Sequence, residues 1–167
     1  MVFNHWKHIF PNPSLNNLVC NIQERCAKMT LTFHILGQPV AKGRPRISTR
    51  SGYPIAYTPQ KTRNAEADLR SQIISQLPVT FRPLEGPIIL AIHFYIQKPK
   101  SARKKDLYPT TRPDIDNYIK SVLDAMNTVV FYDDNQVVFL SASKEYGTPG
   151  ITIVVDEPQL QPPQPQP

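Results

Sequence analysis

Only two cysteines, Cys20 and Cys26, occur in 167 residues. A chain of this length does not need a disulfide framework, and two thiols do not make one. His5, His8, Cys20 and Cys26 are not at finger spacing, so no zinc site is read there. No stretch approaches the ~18 consecutive apolar residues of a membrane span. The N-terminus lacks a basic segment followed by an apolar one, so no secretory signal is read and a cytoplasmic location is expected. There is no internal repeat. Acid is missing from a long stretch: none lies between Glu24 and Glu66, where Arg25, Lys28, Lys42, Arg44, Arg46, Arg50, Lys61 and Arg63 stand unopposed.

What is present is concentrated. Five of the thirteen acidic residues, Asp114, Asp116, Asp124, Asp133 and Asp134, fall within "RPDIDNYIKSVLDAMNTVVFYDDNQVV". A basic run, "QKPKSARKKDLYPTTR", precedes it and carries Lys98, Lys100, Arg103, Lys104, Lys105 and Arg112. The net charge is +6, which favours a polyanionic partner. Carboxylates gathered between basic flanks suggest a cation held against something negative.

The length predicts one domain with tails. Residues 1–28 show no sustained period and read as an N-terminal extension. "LTFHILG" alternates, with Leu31, Phe33 and Ile35 on one face, and predicts a strand. "QPVAKGRPRIS" is a basic loop. A helix follows, with Thr58 as cap, Pro59 at the first helical position and a stripe of Ala65, Leu69, Ile73 and Leu77. "GPIILAIHFYI" predicts a strand buried on both faces. A second helix is read from Asp116, with Ile115, Ile119, Val122, Leu123 and Met126 in one sector. "QVVFLSASKEY" and "ITIVVD" are strands, and Gly147, Pro149 and Gly150 suggest a hairpin between them. The Pro/Gln-rich residues 157–167 form a tail expected to be disordered. The core segment, 29–156, is a small α+β domain with about four strands and two main helices.

An extended D-I-D places Asp114 and Asp116 on one side, with Asp116 at the position of an N-cap. Lys120 is one helical turn beyond Asp116 and Asp124 one turn further. A returning turn would bring Asp133 or Asp134 to the pair. Three such carboxylates suit Mg²⁺ or Mn²⁺, which bind phosphate and activate water. The same residues also fit a cap, a polar turn and a solvated Asp116–Lys120–Asp124 ladder. His34 and His93 lie within strands, and no Ser or Cys elbow accompanies them, which argues against a nucleophile–His triad.

The set D-x-D-N, a lysine four residues after the second Asp, and D-D-x-Q-V resembles the signature of the RusA family of Holliday junction resolvases. "GQPVAKGRPR" and "TPQKTRNAEADL" are similar to phage-type members, and the likeness runs from about Met29 to Val155. The resemblance implies a mixed sheet and a homodimer that binds four-way DNA junctions and nicks strands of like polarity with Mg²⁺. It implies Asp114, Asp116 and Asp134 as catalytic metal ligands and Lys120 as the essential lysine. It makes Lys42, Arg44, Arg46, Lys98, Lys100, Arg103, Lys104 and Lys105 phosphate contacts. The extension, the tail and the valines of "NTVVFYDD", where many members have a glycine-containing turn, depart from the pattern. Two other readings stand beside this one: a non-catalytic DNA-binding accessory protein, and a metal phosphodiesterase acting on other branched DNA or on RNA.

Overall fold

The computed structural model describes residues 26–158 except 45, 50, 51 and 104; the side chains of residues 26–29, 46 and 55 are also left undescribed. Expectations for residues 1–25 and 159–167 therefore lie outside the described residues. The elements are β1 (Cys26–Leu36), β2 (Arg46–Ser48), β3 (Ile55–Tyr57), α1 (Gln60–Gln76), β4 (Ile88–Ile96), α2 (Ile115–Met126), a 3₁₀ turn (Asp134–Gln136), β5 (Val137–Tyr146) and β6 (Gly150–Pro158). This is an α+β fold with two helices and a mixed four-stranded sheet ordered β1-β6-β4-β5. β6 runs antiparallel to both β1 and β4, and β5 runs parallel to β4.

Alternation along the strands decides which sheet face meets the helices. Phe33 and Ile35 of β1, Ile88, Leu90, Ile92 and Phe94 of β4, and Ile151, Ile153 and Val155 of β6 form one buried cluster with Leu69, Ile73, Val122 and Met126 of the helices. Each large aliphatic or aromatic side chain so buried contributes roughly 1.5–3 kcal/mol. The expected apolar sector of α2 is the one that packs: Val122 and Met126 are fully buried, and Ile115, Ile119 and Leu123 lie against the cluster. β4 is buried on both faces: Ile88, Leu90, Ile92 and Phe94 lie in the cluster with the helices, and the second face includes buried Ala91 and His93.

Several local expectations change. The β5–β6 hairpin does not form, because β4 lies between the two strands and hydrogen-bonds to both. Gly147, Pro149 and Gly150 therefore turn the chain across β4 rather than into its neighbour. β1 begins at Cys26, five residues ahead of the "LTFHILG" stretch read as the strand. Pro59, not Thr58, is the N-cap of α1; its carbonyl accepts from the N–H of Thr62 and of Arg63. Asp114, not Asp116, caps α2. The basic loop also contains an unexpected element, the two-stranded β2–β3 ribbon.

The turn after α2 explains how this chain manages without glycine there. Thr128 takes a positive φ of 63°, a conformation that costs an ordinary residue roughly 1–2 kcal/mol. Arg70 of α1 donates to the carbonyl of Asn127 at 2.8 Å and to Thr128 Oγ1 at 2.9 Å. Its cation also complements the negative end of the α2 dipole. Val130 and Phe131 then bury completely and hold the turn against the core.

Candidate active site

The carboxylate segment is set by the start of α2. Asp114 is extended (φ −73°, ψ 152°) and makes no side-chain cap bond, while Asp116 already lies in the first helical turn. Both are exposed. Asp116 Oδ1 accepts from Asn117 Nδ2 at 3.1 Å. The segment entering the helix is tied from β5, where Lys144 Nζ donates to the carbonyls of Thr111 (3.2 Å) and Pro113 (3.1 Å). Sequence reasoning missed Lys144. A lone lysine in a strand carries no signal until β5 is known to lie next to β4 and below this loop.

Lys120 is exposed and forms no ion pair among the described residues. The Asp116–Lys120–Asp124 ladder is therefore not closed. Asp124 is instead ion-paired with Lys42 from the basic loop, and Lys42 Nζ also lies 3.9 Å from Glu66 of α1. The Lys42 backbone N–H donates to the Asn117 carbonyl at 2.9 Å. The loop is thus tied to both helices, and Gly43 lies so close to Thr62 that an added Cβ would come 2.9 Å from its Oγ1.

The returning turn is a capped 3₁₀ element. The Asp133 side chain accepts from the Asn135 N–H at 3.0 Å, and Gln136 Oε1 accepts from the N–H of Tyr132 and of Asp133. Gln136 Nε2 donates to the carbonyls of Leu84 and Gly86, which pins the turn to the chain ahead of β4. Asp133 is therefore a structural cap. The D-x-x-Q spacing of a capping box was present in the sequence to find it. Asp134 opens the 3₁₀ turn and is exposed. Its carboxyl is raised above the usual range by desolvation first, then by a hydrogen bond with Asp133 and the charges of Asp133 and Asp124, against a lowering backbone hydrogen bond.

Asp124 is thus the α2 carboxylate whose charge reaches Asp134. Among the described residues, no three His, Cys, Asp or Glu side chains stand together as a group able to hold a metal ion. The donors nonetheless have the chemistry for one. Asp114, Asp116 and Asp134 are exposed carboxylates with no cationic partner among the described residues, and the fold does not gather them into one such group. Like-charge repulsion at Asp134 is what a hard divalent cation would relieve.

The basic residues divide by surroundings. Arg44, Lys100, Arg103 and Lys105 are exposed, and Lys104 lies outside the described residues. Arg46 is placed only by its backbone in β2. Lys98 Nζ donates to the Asp106 carbonyl at 2.7 Å and lies over the Tyr146 ring, so it braces its own loop. Away from this site, Ser143 Oγ is 2.6 Å from His93 Nδ1, and His93 Nε2 is 3.0 Å from Glu145. This trio has the residue types of a triad. His93, however, is buried in mid-strand and Ser143 is not on an exposed elbow, so the contacts hold β4 to β5.

Residues 37–156 match the family model described as Endodeoxyribonuclease RusA. The chain is 36% identical over 138 residues to the uncharacterized protein YqaN of Bacillus subtilis (strain 168), covering 76% of this chain and 96% of that one. It is 27% identical over 118 residues to the crossover junction endodeoxyribonuclease rusA of Lactococcus phage r1t, covering 70% of this chain and 88% of that one.

Proposed function

The chain belongs to the RusA endodeoxyribonuclease family, and from that premise we propose that it is a Mg²⁺-dependent endonuclease resolving four-way DNA junctions in recombination and repair. What supports this reading most is exposed Asp114 at the N-cap of α2 with exposed Asp116 and Lys120 on the helix itself, beside a basic loop hydrogen-bonded to the same helix turn. Asp114, Asp116 and Asp134 would hold the cation, with Mn²⁺ as a substitute. When bound, it supplies Lewis acidity toward a phosphate oxygen and a more acidic water.

The chain's own residues do the remaining work. The Lys120 ammonium, with no carboxylate partner among the described residues, neutralises charge that builds on the phosphoryl oxygens. Lys144 holds the backbone ahead of Asp114, and Gln136 holds the turn that carries Asp134. The exposed cations Arg44, Lys100, Arg103 and Lys105 contact backbone phosphates, which fixes register without reading sequence. A two-fold junction cut in two strands of like polarity needs two equivalent sites, so the working unit is a homodimer.

The test is Mg²⁺-dependent nicking of a four-way junction and a linear duplex by wild type and by Asp116→Asn. The variant is expected to bind the junction and leave it uncut. Equal cleavage by the variant refutes the assigned site. Salt-dependent binding without any cleavage by wild type identifies an accessory protein. Faster cleavage of RNA or flap substrates identifies another phosphodiesterase.

A further inference from the structure

Resting on the junction-nuclease reading, we propose that the β2–β3 ribbon is a wedge that stacks on bases exposed at the branch point of a four-way DNA junction. The ribbon forms its own two-stranded sheet, apart from the four-stranded one, and none of its described side chains belongs to the buried core. A two-stranded ribbon is marginal in water on its own and needs a surface to rest on. Its described large side chains face solvent: Ile47 is 70% exposed, Tyr53 78% and Tyr57 46%. In the register, Ile47 opposes Ala56 and Tyr57 opposes Arg46, so Ile47 and Tyr57 occupy opposite faces. None of the ribbon's described side chains packs into the chain's own core.

Charge selects the partner. The ribbon lies inside the acid-free stretch between Glu24 and Glu66, and Arg44, Lys61 and Arg63 around it are exposed. The surface therefore fits a polyanion. Its position fits the same DNA that the carboxylates act on: the loop entering β2 is bonded through the Lys42 N–H to Asn117, the residue after Asp116. A phosphodiester at Asp116 has the ribbon's root beside it. Cations alone would satisfy the phosphates of an intact duplex. Aromatic and aliphatic surface gains from base faces, which become accessible where stacking is interrupted.

The experiment uses the full chain with Ca²⁺ in place of Mg²⁺, a four-way junction carrying 2-aminopurine at the branch point or within an arm, and a linear duplex. Wild type is expected to change the fluorescence of the branch-point base and not that of the arm base. Combined Ile47→Ser and Tyr57→Ala should abolish that change and weaken junction binding about tenfold or more. Duplex binding and the unfolding midpoint should stay at wild-type values, since both residues are exposed. Tyr57→Phe, which keeps the ring, should bind like wild type. Equal weakening on junction and duplex overturns the wedge, as does a double variant indistinguishable from wild type on a junction that wild type still prefers. The latter result leaves the nuclease reading standing. Absence of any junction preference in wild type overturns both.

Discussion

Lys42→Met separates a clamp from a phosphate contact. The Lys42 and Asp124 side chains are each about a third exposed (33% and 35%), and Glu66 Oε1 is buried with no hydrogen-bond partner. Fully exposed pairs contribute about 0–1 kcal/mol, and stripping one partner from a buried pair costs about 3–5 kcal/mol. This pair falls between those limits. Lys42→Met leaves Asp124 and Glu66 uncompensated and should cost about 2 kcal/mol. Asp124→Asn keeps an oxygen for the ammonium and leaves Lys42 to Glu66, so about 1 kcal/mol is expected. The double variant should cost about 2 kcal/mol, a coupling of about 1 kcal/mol. Urea unfolding measures all three, and the Lys42→Met midpoint should fall by about 6 °C on heating. Junction binding by Lys42→Met should keep the wild-type salt slope. Energies that add within ~0.3–0.5 kcal/mol, or a salt slope reduced by about 0.9, would refute the clamp.

Other perturbations reach the site from different sides. Lys144→Met removes both bonds to the carbonyls ahead of Asp114, so single-turnover nicking should slow about tenfold with junction affinity unchanged; Lys144→Arg should recover part of the rate. Asp133→Ala removes the cap of the 3₁₀ turn and should cost about 1 kcal/mol in chemical unfolding while also slowing nicking through Asp134. The raised Asp134 carboxyl takes up its proton at a higher pH than an ordinary Asp as the solution is acidified. A protonated Asp134 could not serve the cation site proposed above, so the nicking rate should fall in mild acid. Asp124→Asn removes one repelling charge and should move that acid limb to lower pH; a profile unaffected by the variant contradicts the electrostatic account.

Where the sequence was informative, the signal was local and periodic. The apolar face of β4 reappears as a buried face, and of the α1 stripe Leu69 and Ile73 are buried while Ala65 and Leu77 are half-buried. The apolar sector of α2 appears in the core cluster because 3.6-residue periodicity and burial describe the same surface. The caps were off by small shifts. Pro59 took the position expected of Thr58, and Asp114 that expected of Asp116. Helix boundaries depend on which residue first turns helical, and several neighbours qualify. Ion-pair partners were less legible. Lys120 lies at the ideal spacing for Asp124, yet Lys42, 82 positions away in sequence, holds that carboxylate. A surface i,i+4 pair is worth only ~0.2–0.5 kcal/mol, and a cation anchored by its own backbone bond to Asn117 outcompetes it.

The sequence by itself determined the α+β class, the faces of its strands and helices, and the residue types of the candidate site, because these follow from periodicity and from carboxylate chemistry. Only the tertiary structure decided that β4 separates β5 from β6, since strand pairing is a long-range choice among compatible edges. That choice places Lys144 under the loop before Asp114. The packing of the basic loop across both helices likewise decides that Lys42 neutralises Asp124. Charges interact by distance in space, and the distances that matter here join residues far apart in the chain.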